Sequence, residues 1–489
     1  MHFLAAAHPS EISYWPFAVL VISVALVITL ITVLRVHAFL ALILAAITAG
    51  LLSSVGQLPG EYGTIPGNPT AGRSHWVQAI ELTATEFGNT AGKIGIIIGL
   101  ASIIGMCLME SGAADKVVRR FLAVFGEQRA GLALLLSTYV VSIPIFFDTL
   151  FMLLVPLAKS MRLRTGHNYV LYIMAICAAG VITHSMVAPH PGPLAMAENL
   201  NLDVGLTILV GLATGLIPLI GAWGVAKWIN GRMEVPLRET PGVPLADLES
   251  IVARPEHELP GFLASILPVI LPIVLMSLGS IFAALPALKA GYPMLYTGVD
   301  FFGNRNMALL IGTVFAAIVL VRQKGLTFNR LGELLGPPLE TAGVIILITS
   351  AGGAFGLMLK NAGVGGAIEG VARGHPINAV FLAWLVALVI RVAQGSATVA
   401  MLATSSMMLA VINSPAGIPC HPIYIFLAVG YGAIGLSWMN DSGFWVVSRL
   451  SGFTEKETLK TWTILLSTIS VLGLIATWLL SVILPLKNL

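Results

Sequence analysis

Apolar runs of about twenty residues recur along almost the whole chain, and two further apolar stretches are interrupted near their centres by polar and ionisable residues. A helix needs about 20 apolar residues to cross the hydrocarbon core of a bilayer. Ten runs fit, near 16–34, 36–53, 93–110, 169–188, 204–226, 262–284, 307–321, 341–359, 422–438 and 461–485. The interrupted stretches are longer. One covers 130–159 and carries Ser142, Pro144, Asp148 and Thr149; the other covers 377–413 and carries Arg391, Gln394, Gly395, Ser396 and Thr398. A charge at mid-bilayer costs about 2.5–3.5 kcal/mol on insertion scales, and irregular backbone there must line a polar cavity or lie buried in protein. Two such breaks in matching halves of a chain point to a transporter's substrate site.

Charge decides how the interrupted stretches are placed. With the N-terminus outside and neither stretch crossing, eighteen of the 26 Lys and Arg residues fall inside, seven fall outside, and Arg391 alone is intramembrane. That bias follows the positive-inside rule. A single crossing by 130–159 would put the basic clusters around Arg119 and Arg162 on opposite sides. Both stretches are therefore expected to be re-entrant hairpins. A weak repeat supports this: IIGMCLMESG (103–112) aligns with AFGLMLKNAG (354–363), and Thr149, Met152, Tyr172 and Ser185 align with Thr398, Met401, Tyr424 and Ser437. The expected fold is an all-α polytopic membrane protein of two inverted repeats, each with a re-entrant hairpin and a broken helix. Its parts are N-terminal scaffold helices and an external loop (1–92), a first repeat (93–230) with hairpin 130–159, a cytoplasmic linker (231–260), scaffold helices (261–340), and a second repeat (341–489) with hairpin 377–413.

Composition agrees with a membrane class. The chain is 57% hydrophobic and 10% charged, with a mean hydropathy of +0.92, whereas soluble domains carry about 25% charged residues. The net charge of +3 is too small for a nucleic-acid footprint, and its basic residues serve as topology signals. Residues 1–15 hold no Lys or Arg, so a cleavable leader is not expected. Cys107, Cys177 and Cys420 lie in or beside apolar runs without metal-ligand spacing and read as packing residues. No Walker, HExxH or GxSxG motif is present, which argues against a nucleotide-driven pump and against an enzyme.

The candidate chemistry sits at the breaks. Carboxyls in apolar surroundings can exchange protons in the physiological range, so Asp148 is the first candidate for a proton carrier and Asp441 the second. Arg391 could clamp a substrate carboxylate, pair permanently with Asp148 or Asp441, or lie at the outer part of a hairpin leg. Gly395, Ser396 and Thr398 offer a turn, amides and hydroxyls, which suit an anion, or simply close helix packing. His184 precedes Pro189-His190-Pro191-Gly192-Pro193, and so many prolines cannot continue a helix. Either histidine could titrate near neutral pH or cap carbonyls that the break exposes. Asn440, Asp441 and Ser442 follow an apolar run and suit binding, coupling or a helix N-cap. Thr149, His190, Gly192, Arg391, Gly395, Ser396, Thr398, Asn440, Asp441 and Ser442 are thus the candidate substrate contacts, and Asp148, Asp441 and His184 the candidate proton-coupling residues. No metal site and no cofactor are expected beyond the coupling ion, a proton by this reading, with sodium as the open alternative.

Four stretches, HSMVAPHPGPLA (184–195), AGGAFGLMLKNAGV (351–364), IRVAQGSATVAM (390–401) and LSWMNDSGFWVVSRL (436–450), resemble the gluconate:proton symporter (gluconate permease) family, and the resemblance covers nearly the whole chain. It departs at FFDTLF (146–151), where the family's gluconate members carry a glutamate-containing version. The resemblance implies proton-coupled uptake of gluconate or a related small organic acid across the bacterial inner membrane. It also implies membership of the broad ion-transporter superfamily, alternating access and a homodimer in the lipid bilayer. A sodium-coupled carboxylate carrier, a D-serine-type carrier and a passive facilitator are the alternatives.

Overall fold

The computed structural model describes residues 14–55, 57–59, 74–238, 255–284, 291–364, 378–412, 418–439 and 441–486. Most of residues 54–75, where the external loop of the N-terminal part is expected, and the middle of the linker 231–260 lie outside these residues. Among the described residues the chain is all helical. In order run α1 (Trp15–Ile28), α2 (Ala38–Leu52), α3 (His75–Glu110), α4 (Ala113–Phe125), α5 (Ala130–Val141), α6 (Phe147–Thr165), α7 (Tyr169–Met186), α8 (Pro191–Asn199) and α9 (Val204–Asn230). After the linker come α10 (Phe262–Ala284), α11 (Pro293–Gly303), α12 (Arg305–Lys324), α13 (Phe328–Leu334) and α14 (Gly336–Asn361). The last group is α15 (Ala379–Gln394), α16 (Ala397–Ile412), α17 (Ile423–Ile434), α18 (Ser442–Ser451), α19 (Glu455–Thr458) and α20 (Ile464–Ile483).

Seven helical segments among the described residues are long and apolar enough to cross a membrane. Ten crossings were expected. The three shorter ones are α1, α2 and α17, of 14, 15 and 12 residues. α1 runs on through a π-helical turn at Thr29–Val33. α3 begins at His75 rather than near 93, because its first four turns alternate polar and apolar residues and show no continuous apolar signal.

Burial sorts the spans. The segment of α7 and α8 is 94% buried across its most apolar window, against 28% for α10 and 33% for α12. α7 is therefore the hub, and α10 and α12 are peripheral, with apolar side chains such as Leu263, Val274, Leu310 and Val314 left exposed on the outer surface. In lipid such a surface costs nothing, so helices associate through close packing instead. α14 illustrates this. Gly353 faces Thr90 of α3, while Gly352 and Gly356 face Leu402 and Ser406 of α16. A methyl group at 356 would overlap the Ser406 side chain, so glycine is what lets α14 lie flush against α16.

Ion pairs tie the flanks of the linker to the helix ends. Arg238 holds Glu457 with two hydrogen bonds, at 2.6 and 3.0 Å, and donates a third to the Gly452 carbonyl at 2.6 Å. Lys116 pairs with Glu256 at 2.6 Å, and Arg162 with Glu234 at 2.7 Å. All these cations belong to the group that the charge bias assigns to the cytoplasmic side.

The α14–α16 seam yields a stability prediction. Gly356→Ala should destabilise the fold by about 1–3 kcal/mol, the usual cost of overpacking. Gly88→Ala, where an added methyl meets nothing within 4 Å, should be neutral or stabilising. Melting temperatures of the purified variants in detergent check this, and equal behaviour of the two would contradict the seam.

Candidate functional site

Four helices are interrupted, and each interruption has a local cause. α5 ends at Val141, the segment Ser142–Phe146 contains Pro144, and α6 begins at Phe147. α7 ends at Met186, and α8 restarts at Pro191, where proline's missing N–H is harmless. α15 ends at Gln394, where Gly395 takes the left-handed conformation at φ 80° and its N–H returns to the Arg391 carbonyl at 2.8 Å. A side chain at 395 would be strained there. α17 ends at Ile434, and Asp441 starts α18 by accepting the Gly443 N–H at 2.9 Å.

The breaks meet around one cavity of about 370 Å³. Its walls include Asp148 and Thr149 from the start of α6, His184 and Ser185 from α7, Arg391 from α15, Gly395 to Thr398 from the third break, Asp441 to Gly443 from the start of α18, Thr341 and Ile345 from α14, and Trp462. The N-termini of three helices, α6, α16 and α18, thus border the same space. Those of α6 and α16 present amides and the positive end of a helix dipole, a setting that favours an anion, whereas the start of α18 already carries the Asp441 carboxylate. Ser396 partly caps α16 by accepting the Val399 N–H at 3.3 Å, whereas no side chain caps α6.

The two acids differ sharply. Asp441 is buried and fully engaged: it pairs with Arg391, accepts from the Ser437 hydroxyl, and caps α18. Asp148 is exposed to the cavity, and among the described residues no hydrogen bond or ion pair holds it. Of the alternatives for Arg391, the structure places its guanidinium on Asp441 and on the Gly395 carbonyl, so it bolts the third break to the start of α18. Its Nε remains buried without a partner.

The other candidates divide. Thr149, His184, Gly395, Ser396, Thr398 and Ser442 line the cavity. His190 and Gly192 do not. The His190 Nε2–H donates to the Ser142 carbonyl at 2.7 Å, capping a group that the first break exposes, and its ring lies 4.6 Å from that of His184. Gly192 serves packing, since a Cβ there would press on the Met401 sulfur at 2.6 Å. Asn440 lies outside the described residues. Trp462 and Thr341 reach the cavity without any marker in the sequence: both sit in runs that read as ordinary span residues.

Residues 71–483 match the GntP family permease family. The chain belongs to that family. The gluconate permease of Pseudomonas aeruginosa is 34% identical over 94% of this chain and 95% of its own. The D-serine transporter DsdX of Escherichia coli O6:H1 is 32% identical over 96% and 99%. Among solved structures, MtrF of Neisseria gonorrhoeae, described as illuminating a class of antimetabolite efflux pumps, superposes with a TM-score of 0.61 at 14% identity over 92% of this chain and 94% of that one. At that identity it speaks for the shared transporter fold alone. The chain is a multi-pass inner-membrane permease and not an enzyme.

The unequal acids make a prediction about this permease. Removing one partner of a buried pair costs about 3–5 kcal/mol, so Arg391→Leu and Asp441→Asn should each lower the melting temperature by several degrees. Asp148→Asn should change stability by no more than about 0.5 kcal/mol. Thermal unfolding of the three variants checks this, and a large loss for Asp148→Asn would show a hidden structural role.

Proposed function

We propose that this permease is a proton-coupled symporter that imports gluconate or a related small hydroxylated carboxylate by alternating access. The observation that carries this reading is the meeting of three helix N-termini and one unengaged carboxyl around a single cavity. The substrate carboxylate lies against the free amides at the starts of α6 and α16. Its hydroxyls find Thr149, Ser396, Thr398 and Ser442. Gluconate and D-serine, the compounds named for two relatives, share a carboxylate with at least one nearby hydroxyl, and such a lining suits both.

Asp148 is the proton carrier and Asp441 is not, because Asp441 is already committed to Arg391 and to α18. Two like unit charges about 5 Å apart in an effective dielectric of about 20 repel by about 3 kcal/mol. Neutralising Asp148 would remove a repulsion of that size toward the bound anion. That is enough to couple proton and substrate binding strongly, since coupling free energies of about 1–3 kcal/mol already change affinity by about 5–150-fold.

The moving parts in this proposal are two re-entrant hairpins, 130–159 and 377–413, within inverted repeats. The order of helices supports it. α5, α6, α7, α8 and α9 begin at Ala130, Phe147, Tyr169, Pro191 and Val204, and α15, α16, α17, α18 and the segment of α19 and α20 begin at Ala379, Ala397, Ile423, Ser442 and Glu455, offsets of 249 to 254 residues. A homodimer in the bilayer completes the reading.

Uptake of radiolabelled D-gluconate into proteoliposomes tests the proposal. An inward proton gradient should drive accumulation by the wild type. Asp148→Asn should lose that accumulation while still exchanging gluconate across the membrane. Accumulation that needs sodium would replace the proton, equilibration without accumulation would indicate a facilitator, and gradient-driven uptake by Asp148→Asn would remove Asp148 from the mechanism.

A further inference from the structure

Trp462 belongs to none of the broken segments, yet it touches two of them and the cavity they enclose. It sits in a π-helical turn, Leu459–Thr463, between α19 and α20. Such turns are rare and cluster at functional sites. The side chain is 3% exposed. Its indole N–H donates to the Ser437 hydroxyl oxygen at 2.6 Å, and that hydroxyl in turn donates to Asp441. The adjoining Thr463 hydroxyl donates to the Ser437 carbonyl at 2.5 Å, so the turn grips the fourth break at two atoms of one residue. On its other side the indole packs against Phe147, with centroids 5.3 Å apart. Phe147 is the first residue of α6 and immediately precedes Asp148.

A buried indole ordinarily finds some hydrogen-bond partner, and an ordinary core tryptophan would account for that much. It would not account for both of these contacts. The N–H acceptor is the very hydroxyl that supports the Arg391–Asp441 pair, and the ring's neighbour is the residue beside the unengaged acid. One rigid side chain therefore spans from Ser437, which supports the pair, to Phe147, the neighbour of Asp148.

We propose that Trp462 is a positioning residue that sets the spacing between Asp148 and the Arg391–Asp441 pair, so that the N-termini of α6 and α18 converge on one ligand. The proposal rests on the reading of this cavity as the carboxylate site.

Two conservative variants separate this from simple packing. Trp462→Phe keeps a ring against Phe147 and removes the N–H, and Ser437→Ala removes its acceptor. Each should raise the KM for D-gluconate by about tenfold, the size of one net hydrogen bond, with the maximal rate within about twofold. The double variant should be no worse than the worse single, because the link that Trp462→Phe cuts is already gone in Ser437→Ala. A product of the two effects, or a fall in maximal rate at unchanged KM, overturns the proposal. A second readout needs no substrate. Maleimide labelling of Thr149→Cys, in a protein whose native cysteines are all buried, should speed up several-fold when Trp462→Phe is added. Faster labelling, with no gluconate uptake by the wild type, would leave the positioning role standing and sink the transport reading. Unchanged labelling alongside normal wild-type uptake would do the reverse.

Discussion

The buried pair of Arg391 and Asp441 is the interaction on which the site depends. A helix interrupted inside a membrane protein frees backbone groups that have no water to turn to, and each must find a partner in the protein. Arg391 meets part of that need at the third break by donating to the Gly395 carbonyl, and Asp441 meets part of it at the fourth by accepting the Gly443 N–H. Their mutual charge then joins the two breaks. His190 serves the first break in the same way through the Ser142 carbonyl. With these demands met by fixed side chains, the free amides at the helix starts and the carboxyl of Asp148 are left for a ligand.

In the proposed mechanism this arrangement separates binding from coupling. Arg391 is neutralised by Asp441 where it stands, so it contributes little long-range pull on an anion, and the proposal assigns the attraction to the helix N-termini instead. The only acid exposed to the cavity without a partner among the described residues is the one whose charge can change without dismantling the frame.

Much of this was legible in the sequence, for a physical reason. Polar residues and prolines inside apolar runs are costly, so their positions at 142–148, 187–193, 391–398 and 437–442 marked all four breaks. The alternatives attached to them were not separable in the same way. Asp148 and Asp441 are both acids beside a break, and only their neighbours in space show that one is a cap and an ion-pair partner while the other is unengaged. His190 and Gly192 drew attention through the prolines around them, yet one caps a carbonyl and the other makes room for Met401. Trp462 and Thr341 left no trace, because an aromatic or a hydroxyl within a span has no periodic signature, and a π turn cannot be read from composition. The length of α3 escaped for the opposite reason: its first turns are too polar to resemble a span.

The most direct test of the account is the number of protons exchanged when substrate binds. Calorimetric titration of the purified permease with D-gluconate, in buffers of different ionisation enthalpy, measures that number at equilibrium. By linkage, an anion that binds better beside a neutral Asp148 must raise that group's proton occupancy on binding. The expected result is net proton uptake approaching one per site in the wild type and none in Asp148→Asn, with gluconate still bound. Binding without proton uptake in the wild type at every pH examined, or the same uptake in both proteins, would contradict the role given to this carboxyl.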